Sequence, residues 1–181
     1  GTVAPDGRQV GELDVAAVQG GGPQGTRDHE TDEREVFDRH LAASELVEGP
    51  VDLVVWPEDV VDVEGPVGGN PEGPELAGLA RELDAVLVAG IVEGVDDESF
   101  SNASVAYDRD GEVVDRYDKV HRVPFGEYVP LRSLIEPVGG ESLSSRDAIV
   151  GTHPARLDTP VGRLSVAISW EVFFGDRVRE G

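Results

Sequence analysis

Three short segments of this chain carry residue types that can perform nucleophilic acyl chemistry. Glu58 follows an apolar run and a proline, Lys119 lies between charged and aromatic residues, and Ser169 ends another apolar run. A carboxylate held at the end of a strand can act as a general base, an ammonium can stabilise an oxyanion, and a hydroxyl can attack a carbonyl. Lys119 is the only lysine among 15 basic residues, which favours a special role for its compact ammonium.

Each of these residues taken singly also has an ordinary explanation. Most strand-end glutamates are solvated surface carboxylates, and a serine at the end of a strand is most often a cap. A coding bias toward arginine can leave one lysine on the surface. The chain has no cysteine, and its four histidines show no ligand spacing, so we expect neither a metal site nor a cofactor: His29, His40, His121 and His153.

The composition limits the classes of partner. A formal net charge of −22 and a pI near 4.3 argue against nucleic-acid binding, because no basic stripe is present to neutralise phosphates. The 39% hydrophobic content indicates a globular, soluble domain. No signal peptide or long apolar stretch is visible. Methionine is absent, so we expect that Gly1 is not the natural start and that the chain is cut from a longer one.

The hydrophobic pattern predicts alternating strands and helices. Apolar runs at 13–19, 51–56, 85–92 and 164–168 are typical of buried strands, and residues 74–83 are typical of a helix. A possible capping box at Asp32 and Glu35 predicts a helix that ends near residue 49. This order of elements indicates an α/β fold with a mixed sheet. Residues 1–12 are expected to be a linker or edge segment, and residues 13–181 to form one domain.

The second half of the chain has a different pattern. The Asp110-Gly111 pair between the runs at 102–108 and 112–117 predicts a β-hairpin. Residues 123–160 show little regular pattern, which in a compact domain is typical of a functional or covering loop. A helix is expected from Trp170 onward. Ser169 would then lie on a strand-to-helix turn, a geometry that suits a nucleophile, although the G-x-S-x-G signature is absent.

Taken together, the three segments resemble the nitrilase (carbon-nitrogen hydrolase) superfamily. The resemblance rests on Trp-Pro-Glu at 56–58, on Tyr-Asp-Lys-Val-His-Arg at 117–122 and on Ile-Ser-Trp-Glu-Val-Phe-Phe at 168–174. Within that family, Val-Pro-Phe-Gly-Glu-Tyr-Val-Pro at 123–130 looks most like the apolipoprotein N-acyltransferase branch. The similarity extends from residue 13 to residue 179.

The resemblance implies a fold, a reaction and a set of roles. The fold would be a four-layer αββα sandwich, and the chain an incomplete domain of it, truncated at its C-terminal end. A phospholipid acyl chain would pass to the nucleophile and then to the α-amino group of a diacylglyceryl-cysteine lipoprotein. This would occur on the extracytoplasmic side of the cell membrane, which the protein would reach through segments absent from this chain. Glu58 matches the family's general base and Lys119 its oxyanion-stabilising lysine, with three supporting positions: Glu127, Trp170 and Glu171.

One residue departs from the family pattern. Ser169 occupies the position of the family's catalytic cysteine, and an alcohol is a much weaker acid than a thiol, so it needs a well-aligned base. A natural serine enzyme, an engineered substitution and a lineage that has lost activity are all compatible with the sequence. Two other functions also stay open: a soluble nitrilase-type amidase, and a non-catalytic binding domain with the nitrilase fold.

Overall fold

A mixed sheet forms the centre of the computed structural model, which describes residues 11–22, 33–132 and 145–180 and contains seven strands of this sheet within those ranges. In spatial order the main path is β1 (Val15–Ala17), β2 (Leu53–Val55), β4 (Val86–Asp96), β5 (Ser99–Tyr107) and β6 (Val113–Asp118). The first three are parallel, and the last three form an antiparallel meander. Two short strands extend it: β3 (Val61–Glu64) beside β4, and β7 (Asp147–Ala148) beside β5.

Two amphipathic helices pack against one face of this sheet. Helix α1 (Glu33–Ser44) buries Phe37, and helix α2 (Glu72–Leu83) buries Leu76, both against the side chains that β2 and β4 point toward them. Glutamates in the first turn of α2 and Arg81 in its last turn complement the helix dipole. Asp84 ends α2 in the left-handed conformation.

A two-stranded hairpin packs on the opposite face of the sheet. Its strands are β8 (Arg156–Thr159) and β9 (Gly162–Ser165), which pair with each other through Leu157 and Leu164. Leu157 is fully buried against the alternate residues of the central strands and against Tyr117. Helices, large sheet and hairpin form three successive layers. The predicted α/β fold with a mixed sheet is confirmed, and the arrangement is consistent with a nitrilase-like sandwich.

The strands predicted at 13–19, 51–56 and 85–92 correspond to β1, β2 and β4. The predicted hairpin is also present, and Gly111 has the positive φ of 78° that its turn requires. The helix predicted at 74–83 is α2, which begins two residues earlier. Asp32 lies outside the described residues, as do residues 1–10.

Three predictions of local structure differ from what the fold shows. The last strand, β9, begins two residues before the predicted 164–168 and ends three residues before its predicted end, because its register is set by pairing with β8. The predicted loop at 123–160 contains both β7 and β8 within its described part, since strands this short leave almost no periodic signal. After Ser169 the chain forms a 3₁₀ helix (Ser169–Phe173) and then the short helix α3 (Gly175–Glu180), where one helix was expected.

Candidate active site

Lys119 lies at the centre of a charged cluster at the edge of β5 and β6. Its Nζ is 2.8 Å from Glu58 Oε1 and 2.5 Å from Glu127 Oε1, and only 2% of its side chain is exposed. Glu58 is 30% exposed and Glu127 is 13% exposed, so both carboxylates are reached by solvent and by small molecules more readily than the lysine is. The three residues, together with Asn102, are called the lysine cluster below.

The backbone of the central strands places these side chains. Trp56 still donates to the β4 backbone, at Val88 O (2.8 Å), and Pro57 then ends the pairing of β2, which leaves Glu58 at the strand end. The chain passes so close to β4 there that a Cβ on Gly90 would lie 2.3 Å from Pro57 O. Lys119 donates its own N–H to Asn102 O at 2.9 Å, which continues the β5–β6 pairing by one residue.

The charge of Lys119 is stabilised by its partners. Burial by itself lowers the pKa of this ammonium, but the hydrogen bonds to Glu127 and Glu58 outweigh burial and raise the pKa above its ordinary value. Glu127 is held in turn by the backbone, because Val123 N donates to its Oε2 at 2.8 Å. The cluster therefore presents a fixed positive charge between two carboxyl groups.

Asn102 is a member of the site that the sequence interpretation missed. Its Nδ2 donates to Glu58 Oε1 at 2.8 Å and to Glu127 Oε1 at 3.3 Å, and the residue is only 5% exposed. Asparagine is disfavoured inside strands, so a buried asparagine in the middle of the Ser-Asn-Ala-Ser run of β5 was the signal available in the sequence.

Ser169 lies on a sharp turn, which we call the serine elbow (168–170). Ile168 is still extended, with φ −93° and ψ 120°, whereas Ser169 has φ 54° and begins the 3₁₀ helix. A non-glycine residue in this left-handed region stores backbone strain. Ser169 is exposed, and its hydroxyl has no hydrogen-bond partner among the residues that the structure describes. The turn predicted at this position is present.

Glu171 holds the serine elbow in position. Its fully buried carboxylate accepts hydrogen bonds from Ile168 N (3.0 Å), Val120 N (2.9 Å), His121 N (3.0 Å) and Tyr117 OH (2.9 Å to each oxygen). One side chain thus ties the serine elbow to the segment that follows Lys119. Burial, and then the hydrogen bond to Glu171, raise the pKa of Tyr117 well above its usual range, which keeps the phenol protonated as a donor.

Trp170 strengthens the same connection. Its indole Nε1 donates to His121 O at 2.9 Å, and its ring packs edge-on against Phe174. The imidazole of His121 stacks on Phe174 with ring centres 3.8 Å apart. Trp170 and Glu171, the two positions after the expected nucleophile, therefore both contact the segment after β6.

Two cavities meet at Glu58 and Asn102. A cavity of about 400 Å³ lies between the large sheet and the β8–β9 hairpin, and Glu58, Asn102 and Ser169 all line it. Its other walls are mainly apolar and include Leu53, Val55, Val88, Leu157 and Leu164. A second cavity of about 330 Å³ is lined by Glu58, Asn102 and Glu127 among mostly charged side chains. The fold thus brings Ser169 and two members of the lysine cluster, Glu58 and Asn102, to one apolar cavity, without a direct hydrogen bond between Ser169 and the cluster in the described part of the chain.

The described ranges contain neither a cluster of metal ligands nor a helix that could span a membrane. Across residues 11–22, 33–132 and 145–180, no group of three or more histidine or acidic side chains could hold a metal ion. No helix in the described part of the chain combines the length and the apolar character needed to cross a bilayer.

Comparison with known proteins supports the motif-based resemblance. Residues 14–180 match the family model described as carbon-nitrogen hydrolase. An apolipoprotein N-acyltransferase from Agrobacterium fabrum is 35% identical over 183 residues, which cover 93% of this chain and 34% of the relative. One from Geobacter metallireducens is 32% identical over 148 residues, covering 80% of this chain and 28% of the relative. The chain spans about a third of the length of these curated relatives.

Solved structures show the same fold. An amidase from Nesterenkonia sp. superimposes with a TM-score of 0.61 at 20% sequence identity, over 93% of this chain and 60% of the amidase. At that identity the similarity concerns the architecture of the chain, and it agrees with the layers described above.

Proposed function

Because this chain belongs to the carbon-nitrogen hydrolase family, we propose that its site transfers an acyl group through an ester on Ser169. The relatives are named apolipoprotein N-acyltransferase. In line with the motif resemblance, the proposed donor is a phospholipid, and the proposed acceptor is the α-amino group of a diacylglyceryl-cysteine lipoprotein. The observation that carries the proposal is the buried Lys119 ammonium, held between Glu58 and Glu127 beside the cavity that contains Ser169.

In the first half-reaction, Ser169 Oγ attacks the ester carbonyl of the phospholipid while Glu58 takes the hydroxyl proton. Lys119 Nζ stabilises the negative oxygen of the tetrahedral intermediate. Collapse of the intermediate breaks the bond to the lysophospholipid oxygen, which leaves with the proton from Glu58. The acyl group is then an ester on Ser169.

In the second half-reaction, the neutral amine of the acceptor attacks that ester and gives its proton to Glu58. Lys119 again stabilises the oxyanion, and the Ser169 oxygen leaves and recovers the proton. The product is an amide, and the enzyme returns to its starting state. The apolar walls of the larger cavity suit the acyl chain in both steps, because their burial of methylene groups is favourable.

The proposal treats Ser169 as a natural variant of the family's cysteine nucleophile. A serine is far less acidic than a cysteine, so its attack depends on a base that is already in place. Glu58 lines the same cavity as Ser169, which supports this role. We further propose that the reaction takes place on the extracytoplasmic side of the cell membrane, where residues 13–181 form part of the catalytic domain and other segments of the protein provide the membrane contact.

Mass spectrometry of the intact protein tests the proposal. After incubation with phospholipid, Ser169 is expected to carry one acyl group, and a diacylglyceryl-cysteine peptide is expected to remove it and gain the same mass. Ser169→Ala should abolish the adduct. Ser99→Ala should leave the adduct unchanged, since the Ser99 hydroxyl donates to Asp96 at the first residue of β5 and does not line the cavity that contains Ser169.

The same experiment separates the two competing functions. Release of ammonia from small amides, without labelling by phospholipid, would replace the acyltransferase with an amidase, whose fold this chain shares. Failure of phospholipids and of amides to modify Ser169, with lipid binding intact, would leave a non-catalytic binding domain.

A further inference from the structure

We propose that Asn102 is a positioning residue that orients the carboxylate of Glu58 so that one of its oxygens stays available to Ser169. The inference deepens the acyl-transfer function proposed above and rests on it. It concerns a residue that does not touch the reacting atoms but acts through Glu58.

The contacts form a closed ring of four groups. Glu58 Oε1 and Glu127 Oε1 each accept one hydrogen bond from Lys119 Nζ and one from Asn102 Nδ2. Lysine and asparagine thus bridge the same two oxygens from different sides. The amide has two N–H groups, and both are used in this bridge.

This ring determines which oxygen of Glu58 can take a proton. Oε1 is occupied by two donors, whereas Oε2 has no partner among the described residues. Without Asn102, Lys119 alone would hold the carboxylate. A carboxylate held by one partner can rotate about its Cγ–Cδ bond, so that neither oxygen keeps a fixed position. Asn102 therefore keeps Oε2 directed away from the cation and available.

The orientation of the amide follows from the same contacts. Rotating it by 180° would bring Oδ1 to within hydrogen-bond distance of two carboxylate oxygens, which repel it. With Nδ2 in that place, Oδ1 is buried and has no partner in the described part of the chain. Leaving a buried amide oxygen unpaired costs free energy. A residue chosen only for stability would avoid that cost.

The backbone of Asn102 is fixed on both sides. It pairs with Val92 of β4, and its carbonyl accepts the N–H of Lys119 at 2.9 Å. The side chain therefore starts from a backbone position that two neighbouring segments hold in place. This rigidity is what a positioning residue needs.

The pH dependence of Ser169 acylation in single turnover tests the inference on the intact protein. Asn102→Ser shortens the side chain beyond reach of both carboxylates, and Asn102→Asp replaces the donor with a third carboxylate. The first change removes a hydrogen bond to the Glu58 carboxylate, and the second places a like charge beside it. Both disfavour the ionised form of a carboxyl group. The acid limb of the rate profile should therefore move to higher pH by about one unit, and further for Asp than for Ser. Ser101→Ala, on the neighbouring position with a hydroxyl bonded to Glu93 and Arg116, should not move it.

The outcomes distinguish this inference from the proposed function. If the unmodified protein forms no acyl-Ser169, the proposed function fails and the inference fails with it. If it does, and folded Asn102 variants lose rate without any change in the pH midpoint, the function stands and Asn102 has only a structural role. Circular dichroism decides which variants are folded. Should Asn102→Asp unfold, Asn102→Ser carries the comparison, and unfolding of both would overturn the positioning role.

Discussion

Lys119 and Ser169 are held in opposite ways within one site. The lysine is 2% exposed, lies in line with two paired strands and has a carboxylate on either side. The serine is exposed, lies on a turn with φ 54° and makes no side-chain hydrogen bond with the described residues. The charges are therefore held in place by the fold, while the proposed nucleophile stays accessible at the cost of backbone strain.

The lysine cluster and the serine elbow are also positioned by different kinds of contact. The lysine cluster is placed directly by the strand order β2, β4, β5, β6. The serine elbow has no strand partner at Ser169 and is positioned through Glu171, whose carboxylate joins it to the segment after Lys119. Substitutions in the two regions should consequently have different effects. Those in the lysine cluster should lower the rate of acyl transfer, and those at Glu171 should lower both this rate and the stability of the fold.

Among variants that keep Ser169, the largest expected effect comes from Lys119→Arg, which keeps the charge but changes its shape. A planar guanidinium cannot occupy the place of an ammonium between Glu58 and Glu127, so the oxyanion loses its donor. We expect acyl transfer to fall by about 100-fold to 1000-fold, measured as the rate of peptide acylation by the intact protein. Unchanged turnover would remove Lys119 from the mechanism.

Glu171→Gln is expected to have the next largest effect, because it removes hydrogen bonds that hold the serine elbow in position. Both oxygens of the Glu171 carboxylate now accept hydrogen bonds from N–H and O–H donors. A glutamine side chain has only one oxygen, and its NH₂ group would face one set of these donors and repel them. We expect the free energy of unfolding to fall by about 3 kcal/mol, together with slower acylation of Ser169. Denaturant unfolding measures the first and mass spectrometry the second. Glu82→Gln, an exposed position on α2, provides the matched control and should change neither.

Tyr117→Phe removes the O–H donor that the two oxygens of Glu171 share, and it changes the response to alkali. The pKa of Tyr117 is raised in the folded state, so the unfolded chain releases this proton first as the pH rises through 10.0. The folded state therefore loses stability above that pH and is unaffected by this group below it.

In Tyr117→Phe the loss of stability above pH 10 should be smaller, although the variant is less stable at neutral pH. Tyr107, whose pKa burial and Glu93 raise to about 12, remains in both proteins and leaves a residual slope. Thermal unfolding between pH 8 and pH 11 makes the comparison. Parallel stability curves for the two proteins would mean that Tyr117 does not titrate differently in the folded and unfolded states.

Ser169→Gly gives the smallest change in stability and sharpens the contrast most directly. Glycine adopts positive φ without strain, and this gain exceeds the entropy it loses, so the variant should be more stable by up to about 1 kcal/mol while losing all acylation. Ser165→Gly, in β9, should instead be destabilised by about 0.5–1 kcal/mol, because no strain is relieved there. A destabilised Ser169→Gly variant would show that the elbow is not strained.

The sequence predicted much of the first half of the fold. Apolar runs long enough to be buried on both faces indicated β2 and β4, and the Asp110-Gly111 pair indicated the turn between β5 and β6. The four-residue strand β3 was not predicted, because Val-Asp-Val-Glu between turn residues carries too little pattern. Its assignment as a strand depends on pairing with β4, which is a tertiary event.

The sequence by itself determined the chemistry that is available: Glu58 and Ser169 at the ends of apolar runs, one lysine between them, and the family motifs. The tertiary structure alone decided the partners. Lys119 meets Glu58 across 61 residues, Asn102 meets Glu58 across 44, and Glu171 meets Val120 across 51. These contacts depend on which strands lie side by side and in what register, and local propensity encodes neither, because it acts over only a few residues. Hence a lysine that stands out in the sequence became a bridged ion pair only when β2, β4, β5 and β6 were assembled.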